Sequence, residues 1–306
     1  MALTQEIKNG IAFASQMGFD KLHLAPPAQT RQAMAQAPRN PAPTPVHQVI
    51  NLTIPEHNVP VRLYIPEGEG PHPVISYFHG GGFVLMSLDT HDEISRQLST
   101  KTNAIVMSVD YSLAPEHPYP AGPQDSVNAV KWMIENATNY KGDGSKMAVM
   151  GDSAGGYMAI YTAQKLTEEG IPLSAQVAVY PITDHYSSNQ KSYEENKEGY
   201  ILSADMMKWF WDNFLTDATK FDEASPLRSS HFSGLPPALI MTANYDPLRD
   251  EGKAYADKLT AAGVETIYKN YENVHGFFGT GEMGQDAMQQ AVNFLKQKFN
   301  MTNHAN

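Results

Sequence analysis

Six residues, Gly151-Asp152-Ser153-Ala154-Gly155-Gly156, stand between a β-rich apolar run ending at Met150 and a helix-period run from Tyr157 to Leu166. A serine in that position sits on a strand-to-helix turn so tight that its own backbone is strained. Only small residues two before and two after it avoid collision, and Gly151 and Gly155 meet that need. Such a turn lifts the Ser153 hydroxyl above the carboxyl edge of a sheet, where open α/β sheets bind ligands, and sets the positive end of the next helix beneath it. The competing reading is a helix N-terminus that merely turns, or one that holds a phosphate. A phosphate cradle would more naturally end its glycine-rich run in Lys-Ser or Lys-Thr, which this segment lacks. Strand and helix flank the motif as a nucleophile requires.

The remaining chain agrees with a layered α/β architecture. From Val46 onward, short β-rich runs alternate with helix-period segments, the pattern of a mostly parallel sheet covered by helices. Strands are predicted at Val46–Ile54, Val61–Ile65, Val74–Phe78, Ala104–Val109, Met147–Met150, Gln176–Tyr180, Ala238–Thr242 and Thr266–Tyr271. Thr90 followed by Glu93 predicts a capping box opening a helix that carries Ile94 and Leu98. Val127, Val130 and Ile134 mark a second helix, and Met288, Val292, Leu295 and Phe299 the apolar stripe of the last one.

Two regions break the alternation. Residues 1–45 read as one or two helices followed by a joint with Pro38, Pro41, Pro43 and Pro45, which cannot lie inside a helix or central strand. Residues 184–235 interpose a polar stretch and a helix-like segment, Ser203 to Leu215, between two strands. This divides the α/β body into residues 46–183 and 236–306. Trp209, Phe210, Trp211 and Phe214 are too many aromatics for a solvated helix, and they are expected to pack the insertion onto the N-terminal helices, with lining of a ligand pocket as the other reading.

Charge and composition narrow the function. A net charge of −11 argues against nucleic-acid binding, which relies on Lys and Arg, and favours an uncharged or cationic substrate over an anionic one. The absence of cysteine excludes disulfides, thiolate metal sites and cysteine nucleophiles. No stretch approaches the ~20 apolar residues of a membrane span, and the first twenty residues lack a signal-peptide core. A soluble, cytoplasmic protein is the expectation.

His79-Gly80-Gly81-Gly82-Phe83 follows the strand ending at Phe78. Its glycines can turn backbone N–H groups outward, which suits donors around a tetrahedral oxyanion; a flexible turn or anion nest is the alternative. Together with Ser153 it assigns Gly81, Gly82 and Ala154 as the oxyanion hole, with His79 as an organiser of the loop. A serine hydroxyl needs a base that is itself oriented by an acid. Of the 11 histidines, His275 alone follows the insertion in a loop directly after a strand. The acid is Asp246, just after the strand ending at Thr242, with Asp184 as its main rival. Asp250 and Glu251 read as first-turn helix residues complementing the dipole. Asp246 lies 93 residues after Ser153 and His275 another 29 beyond, giving the chain order Ser, Asp, His of the α/β-hydrolases.

These marks, with Asp110-Tyr111-Ser112-Leu113-Ala114-Pro115-Glu116-His117-Pro118-Tyr119-Pro120-Ala121, Asp246-Pro247-Leu248-Arg249-Asp250-Glu251-Gly252 and His275-Gly276-Phe277, resemble those of the bacterial hormone-sensitive-lipase-like carboxylesterases over essentially the whole length. The resemblance implies an α/β-hydrolase fold, an eight-stranded, mostly parallel sheet with one antiparallel strand near its start and flanking helices. It also implies a helical cap built from the N-terminal segment and the insertion. Where the family usually has arginine this chain has Ser112. The expected activity is hydrolysis of short- to medium-chain carboxylic esters by Ser153, His275 and Asp246 through an acyl-enzyme, with no metal or organic cofactor. Amide hydrolysis by the same machinery and a non-catalytic binding role are the alternatives. Dimers joined through the last strand are common in such relatives, and Thr266 to Tyr271 offers that edge.

Overall fold

The computed structural model describes residues 2–301. Its strands are β1 Gln48–Ile54, β2 Val59–Ile65, β3 His72–Phe78, β4 Ile105–Val109, β5 Gly142–Asp152, β6 Ala175–Val179, β7 Ala238–Tyr245 and β8 Thr266–Val274. They form one sheet in the order β1-β2-β4-β3-β5-β6-β7-β8. β2 runs antiparallel to both neighbours, and every other pairing is parallel. Every residue of β4 and β6 is buried, because helices cover both faces and no polar alternation is needed. β5 begins at Gly142, earlier than its sequence suggests. Gly142 pairs with His72 beyond a break in register.

The helices are α1 Gln5–Gln16, α2 Pro27–Ala35, α3 Asp92–Thr102, α4 Ala121–Asn136, α5 Ala154–Glu168, α6 Lys191–Glu195, α7 Ala204–Phe214, α8 Arg249–Ala261 and α9 Gly281–Met301. Successive strand residues point to opposite faces. Val74 and Phe78 of β3 thus join α4 and α5 in one apolar cluster, while Ile75 and Tyr77 join α3 and α9 in another. The α9 stripe is buried as its period predicts, with Met288, Val292, Leu295 and Phe299 all at or below 4% exposure. Burying each such side chain stabilises the fold by roughly 1.5–3 kcal/mol. Among the described residues no helix is long and apolar enough to cross a membrane.

One expectation is corrected here. α3 starts at Asp92, with no side-chain cap. Thr90 donates instead to the Ser87 carbonyl, and Glu93 turns outward to accept from Thr44, so tertiary contacts displace the capping box. α7 packs against the N-terminal segment as expected, and its aromatics divide between that side and the α/β body. Trp211 and Phe214 bury against Phe83 and Tyr157 of the α/β body, with the Phe83 and Phe214 rings stacked at 3.9 Å. Phe210 instead faces a cavity that residues of the N-terminal segment help to close.

Candidate active site

Ser153 occupies the junction of β5 and α5 with φ 57° and ψ −118°, a strained conformation for a residue with a β-carbon. The turn closes only because its neighbours are small. A β-carbon on Gly155 would lie 1.8 Å from the Phe78 carbonyl oxygen, so the backbone of β3 passes directly against the start of α5. The amide of Ser153 is engaged with the Val179 carbonyl at 2.8 Å, which pins the turn to the end of β6.

The loops after β7 and β8 bring the other two residues over the same edge. His275 Nε2 lies 2.8 Å from Ser153 Oγ, and His275 Nδ1 lies 2.7 Å from Asp246 Oδ2. Asp246 is fully buried, and its other carboxylate oxygen accepts the Leu248 amide at 2.9 Å. Asn196 holds this loop from outside, donating to the carbonyls of Asn244 and Asp246. A carboxylate can only accept, so Nδ1 carries a proton toward Asp246, leaving Nε2 of the neutral ring to accept from the serine hydroxyl. The Tyr180 ring packs 4.4 Å from the imidazole, centre to centre.

The rival acid, Asp184, lies elsewhere. It is buried in an ion pair with Arg228 at 3.0 Å and makes no contact with His275. Glu251 stands in the first turn of α8, as its place in the sequence suggests. It is fully buried, and its Oε2 accepts the amides of Thr183 and Asp184 at 2.7 and 3.0 Å. Burial pushes its carboxyl well above the ordinary glutamate range. Asp250 keeps a helix-start position, but it too is tied across the fold, accepting the Ser192 amide. At the position where arginine was expected, the backbone amide of Ser112 donates to Asp125.

The loop after β3 completes the arrangement. Gly81 and Gly82 adopt φ of 118° and 60°, and Val84 and Leu85 donate back to the Gly81 carbonyl. The amides of Gly81, Gly82 and Ala154 have no protein acceptor among the described residues. His79 is buried, stacked on Tyr111 at 4.5 Å, and makes no hydrogen bond to Ser153 or His275. A cavity of about 250 Å³ opens onto Ser153 and His275. Its walls are apolar: Phe19 and Leu22 from the N-terminal segment, Leu85 and Met86 after the glycine loop, and Met206, Met207 and Phe210 from α7. A second cavity of about 360 Å³ meets the first at Ile201, His275 and Gly276.

A family model described as the alpha/beta hydrolase fold matches residues 75–279. The chain belongs to the hormone-sensitive-lipase-like esterases of that fold. Carboxylesterase NlhH of Mycobacterium tuberculosis is 43% identical over 72% of this chain and 71% of its own length. An arylesterase of Saccharolobus solfataricus is 34% identical over 82% of this chain and 83% of its own. A crystal structure of a thermostable esterase from Pseudomonas putida superposes with a TM-score of 0.92 at 35% identity, covering 97% of this chain and 98% of that one. The protein is thus a carboxylic ester hydrolase, and its sheet, strand order and flanking helices are those of an α/β-hydrolase esterase.

The residues that sequence reasoning missed are those around the three expected ones. Asn196 and Ser192, in and beside α6, brace the loop carrying Asp246. Arg31 of α2 ties the N-terminal segment to the carbonyls of Val84 and Ala114 and to Glu116. Neither set lies in a glycine-rich or strand-flanked motif, and no local signal marks them.

Proposed function

We propose that Ser153 is the nucleophile, His275 the general base and Asp246 the acid that orients it, in an esterase working by acylation and deacylation. The unbroken chain of short hydrogen bonds from Asp246 through His275 to Ser153 carries this reading. His275 takes the serine proton as Oγ attacks the ester carbonyl, then delivers it to the departing alcohol. The charge that gathers on the carbonyl oxygen is met by the amides of Gly81, Gly82 and Ala154, supported by the positive end of α5. Water then attacks the acyl-enzyme with His275 again as base, and Ser153 is restored. Asp246 fixes the tautomer and stabilises the imidazolium.

Short- to medium-chain, uncharged esters are the proposed substrates. The apolar cavity of about 250 Å³ at Ser153 suits a modest acyl group, and the net charge of −11 disfavours anionic ones. The cavity beyond His275 is the proposed seat or exit of the alcohol. The free edge of β8 is the proposed joint of a homodimer, which light scattering on the purified chain would test.

Ser153→Ala should lower turnover of a chromogenic butyrate ester by on the order of 10⁶-fold and abolish labelling by a fluorophosphonate. Retained turnover in that variant would sink the assignment. A series from acetate to palmitate esters tests the chain length, with kcat/KM expected to fall beyond the medium chains.

A further inference from the structure

Behind the serine turn lies a buried polar cluster for which the acylation chemistry has no use. Asp152, the residue before Ser153, is buried, and its Oδ1 accepts from the Tyr77 hydroxyl at 2.6 Å. The Nε2 of His91 lies 3.1 and 3.2 Å from its two oxygens. On its other side His91 places Nδ1 2.9 Å from Thr90 Oγ1. That hydroxyl gives its own hydrogen to the Ser87 carbonyl at 2.8 Å, so it can only accept from the ring. Nδ1 therefore carries a proton. Nε2 also lies 3.4 Å from the Gly80 amide and cannot both accept there and donate to the carboxylate. The carboxylate contact is the shorter, and a bare nitrogen lone pair facing a buried carboxylate would be repulsive, so the proton goes toward Asp152.

The cluster also touches the glycine loop. A β-carbon on Gly80 would lie 2.6 Å from Asp152 Oδ2, so the loop rests on the carboxylate that His91 holds. Asp152 immediately precedes Ser153 and Ala154, while Gly80 immediately precedes Gly81 and Gly82. We propose that His91 is a positioning residue whose ion pair with Asp152 fixes the glycine loop against the serine turn and so sets the spacing of the Gly81, Gly82 and Ala154 amides around the oxyanion. Burial alone would raise the Asp152 carboxyl, but His91 and the Tyr77 bond hold it below its ordinary range. The other titratable groups facing His91 are Tyr77, with ring centres 6.2 Å apart, and His79, at 5.7 Å. This inference rests on the roles proposed above for Ser153 and the three amides.

Amides misplaced by about an ångström weaken binding of the transition state much more than binding of the ester, so the loss falls on kcat. His91→Leu is expected to lower kcat about 30- to 100-fold with KM changed less than threefold. His91→Asn, whose side-chain amide can still donate to Asp152, should recover roughly tenfold of that. A trifluoromethyl ketone, which forms an oxyanion on the serine, should lose affinity in proportion to kcat across both variants. A kcat of His91→Leu within threefold of the parent, a loss carried by KM, or an Asn variant no better than Leu overturns the proposal. Should His91→Leu fail to fold by circular dichroism, His91→Asn decides alone: a 3- to 10-fold fall in kcat at constant KM supports it, and an unchanged kcat overturns it. Fluorophosphonate labelling of the parent and of Ser153→Ala is run alongside. An unlabelled parent would refute the roles of Ser153 and the amides, whereas a labelled parent with indifferent His91 variants refutes only the role of His91.

Discussion

Phe210 lies so close against Gly82 that a β-carbon on the glycine would come within 2.3 Å of its ring. The helix that roofs the cavity and the loop proposed to offer amides to the oxyanion are therefore one packed unit. Gly82 also holds φ at 60°, a region that favours glycine. Gly82→Ala should cost about 10²- to 10³-fold in kcat, the scale of losing one oxyanion donor. Steady-state kinetics on a butyrate ester would show it, and a loss below threefold would argue against a role for this amide.

Truncating the ring from the other side should change selectivity. Phe210 is only 4% exposed and forms part of the cavity wall, so Phe210→Ala enlarges the space beside Ser153. The preferred acyl chain is expected to lengthen, at a stability cost of about 3–5 kcal/mol for a buried aromatic reduced to alanine. Comparing kcat/KM across the acetate-to-palmitate series checks the first effect, and urea unfolding the second.

The two candidate acids should separate cleanly. Asp246→Asn keeps the shape but lets the imidazole adopt the wrong tautomer, and kcat should fall by about 10⁴-fold. Asp184 pairs with Arg228 rather than with His275. Asp184→Asn should therefore leave kcat within a few fold while lowering stability, and equal kinetic losses in both variants would contradict the geometry.

Burial, followed by the neighbouring His91, pushes His79 from 6.5 down to about 4. Its folded form is neutral where the unfolded chain begins to take up a proton. The stability tied to this group is present above pH 6.5 and is lost as pH falls from there toward 4. The loss between pH 7 and pH 5 is about 2 kcal/mol. Glu251, raised by burial, acts with the opposite sign, its folded form gaining stability as the unfolded chain's glutamate becomes protonated. The decisive measurement is therefore a difference: wild type should lose about 2 kcal/mol more than His79→Asn over that range in urea titrations.

Arg31 joins α2 to the body through the Val84 carbonyl at 2.7 Å, the Ala114 carbonyl at 2.8 Å and both oxygens of Glu116. Its side chain is 23% exposed, so the bonds to carbonyls matter more than the screened ion pair. Arg31→Ala should cost about 2–3 kcal/mol. It should also raise KM, since Phe19 and Leu22 of the N-terminal segment wall the cavity. Differential scanning calorimetry with steady-state kinetics would test both.

Much of this enzyme was legible before any coordinates. The serine turn could be read because part of its constraint is local: a β-carbon on Gly151 would lie 2.2 Å from the Gly155 carbonyl oxygen, four residues on. The apolar stripe of α9 and the burial of β4 and β6 likewise follow from spacing along the chain. Chain order and the loops after strands were enough to nominate His275 and Asp246.

Folding in three dimensions decided what chain-distant residues do to one another. Asp246 and Asp184 both follow strands, and only the position of β7 relative to β8 puts the former 2.7 Å from His275. Thr90 and Glu93 carry the pattern of a helix cap, yet Ser87 and Thr44 draw them away. Glu251 is the helix-start carboxylate it looks like, but only the packed fold buries it under the loop after β6. Backbone sterics between neighbours in sequence leave a readable mark there. The partner of a side chain depends on which surfaces the packed elements bring together, and no short stretch of sequence carries that information.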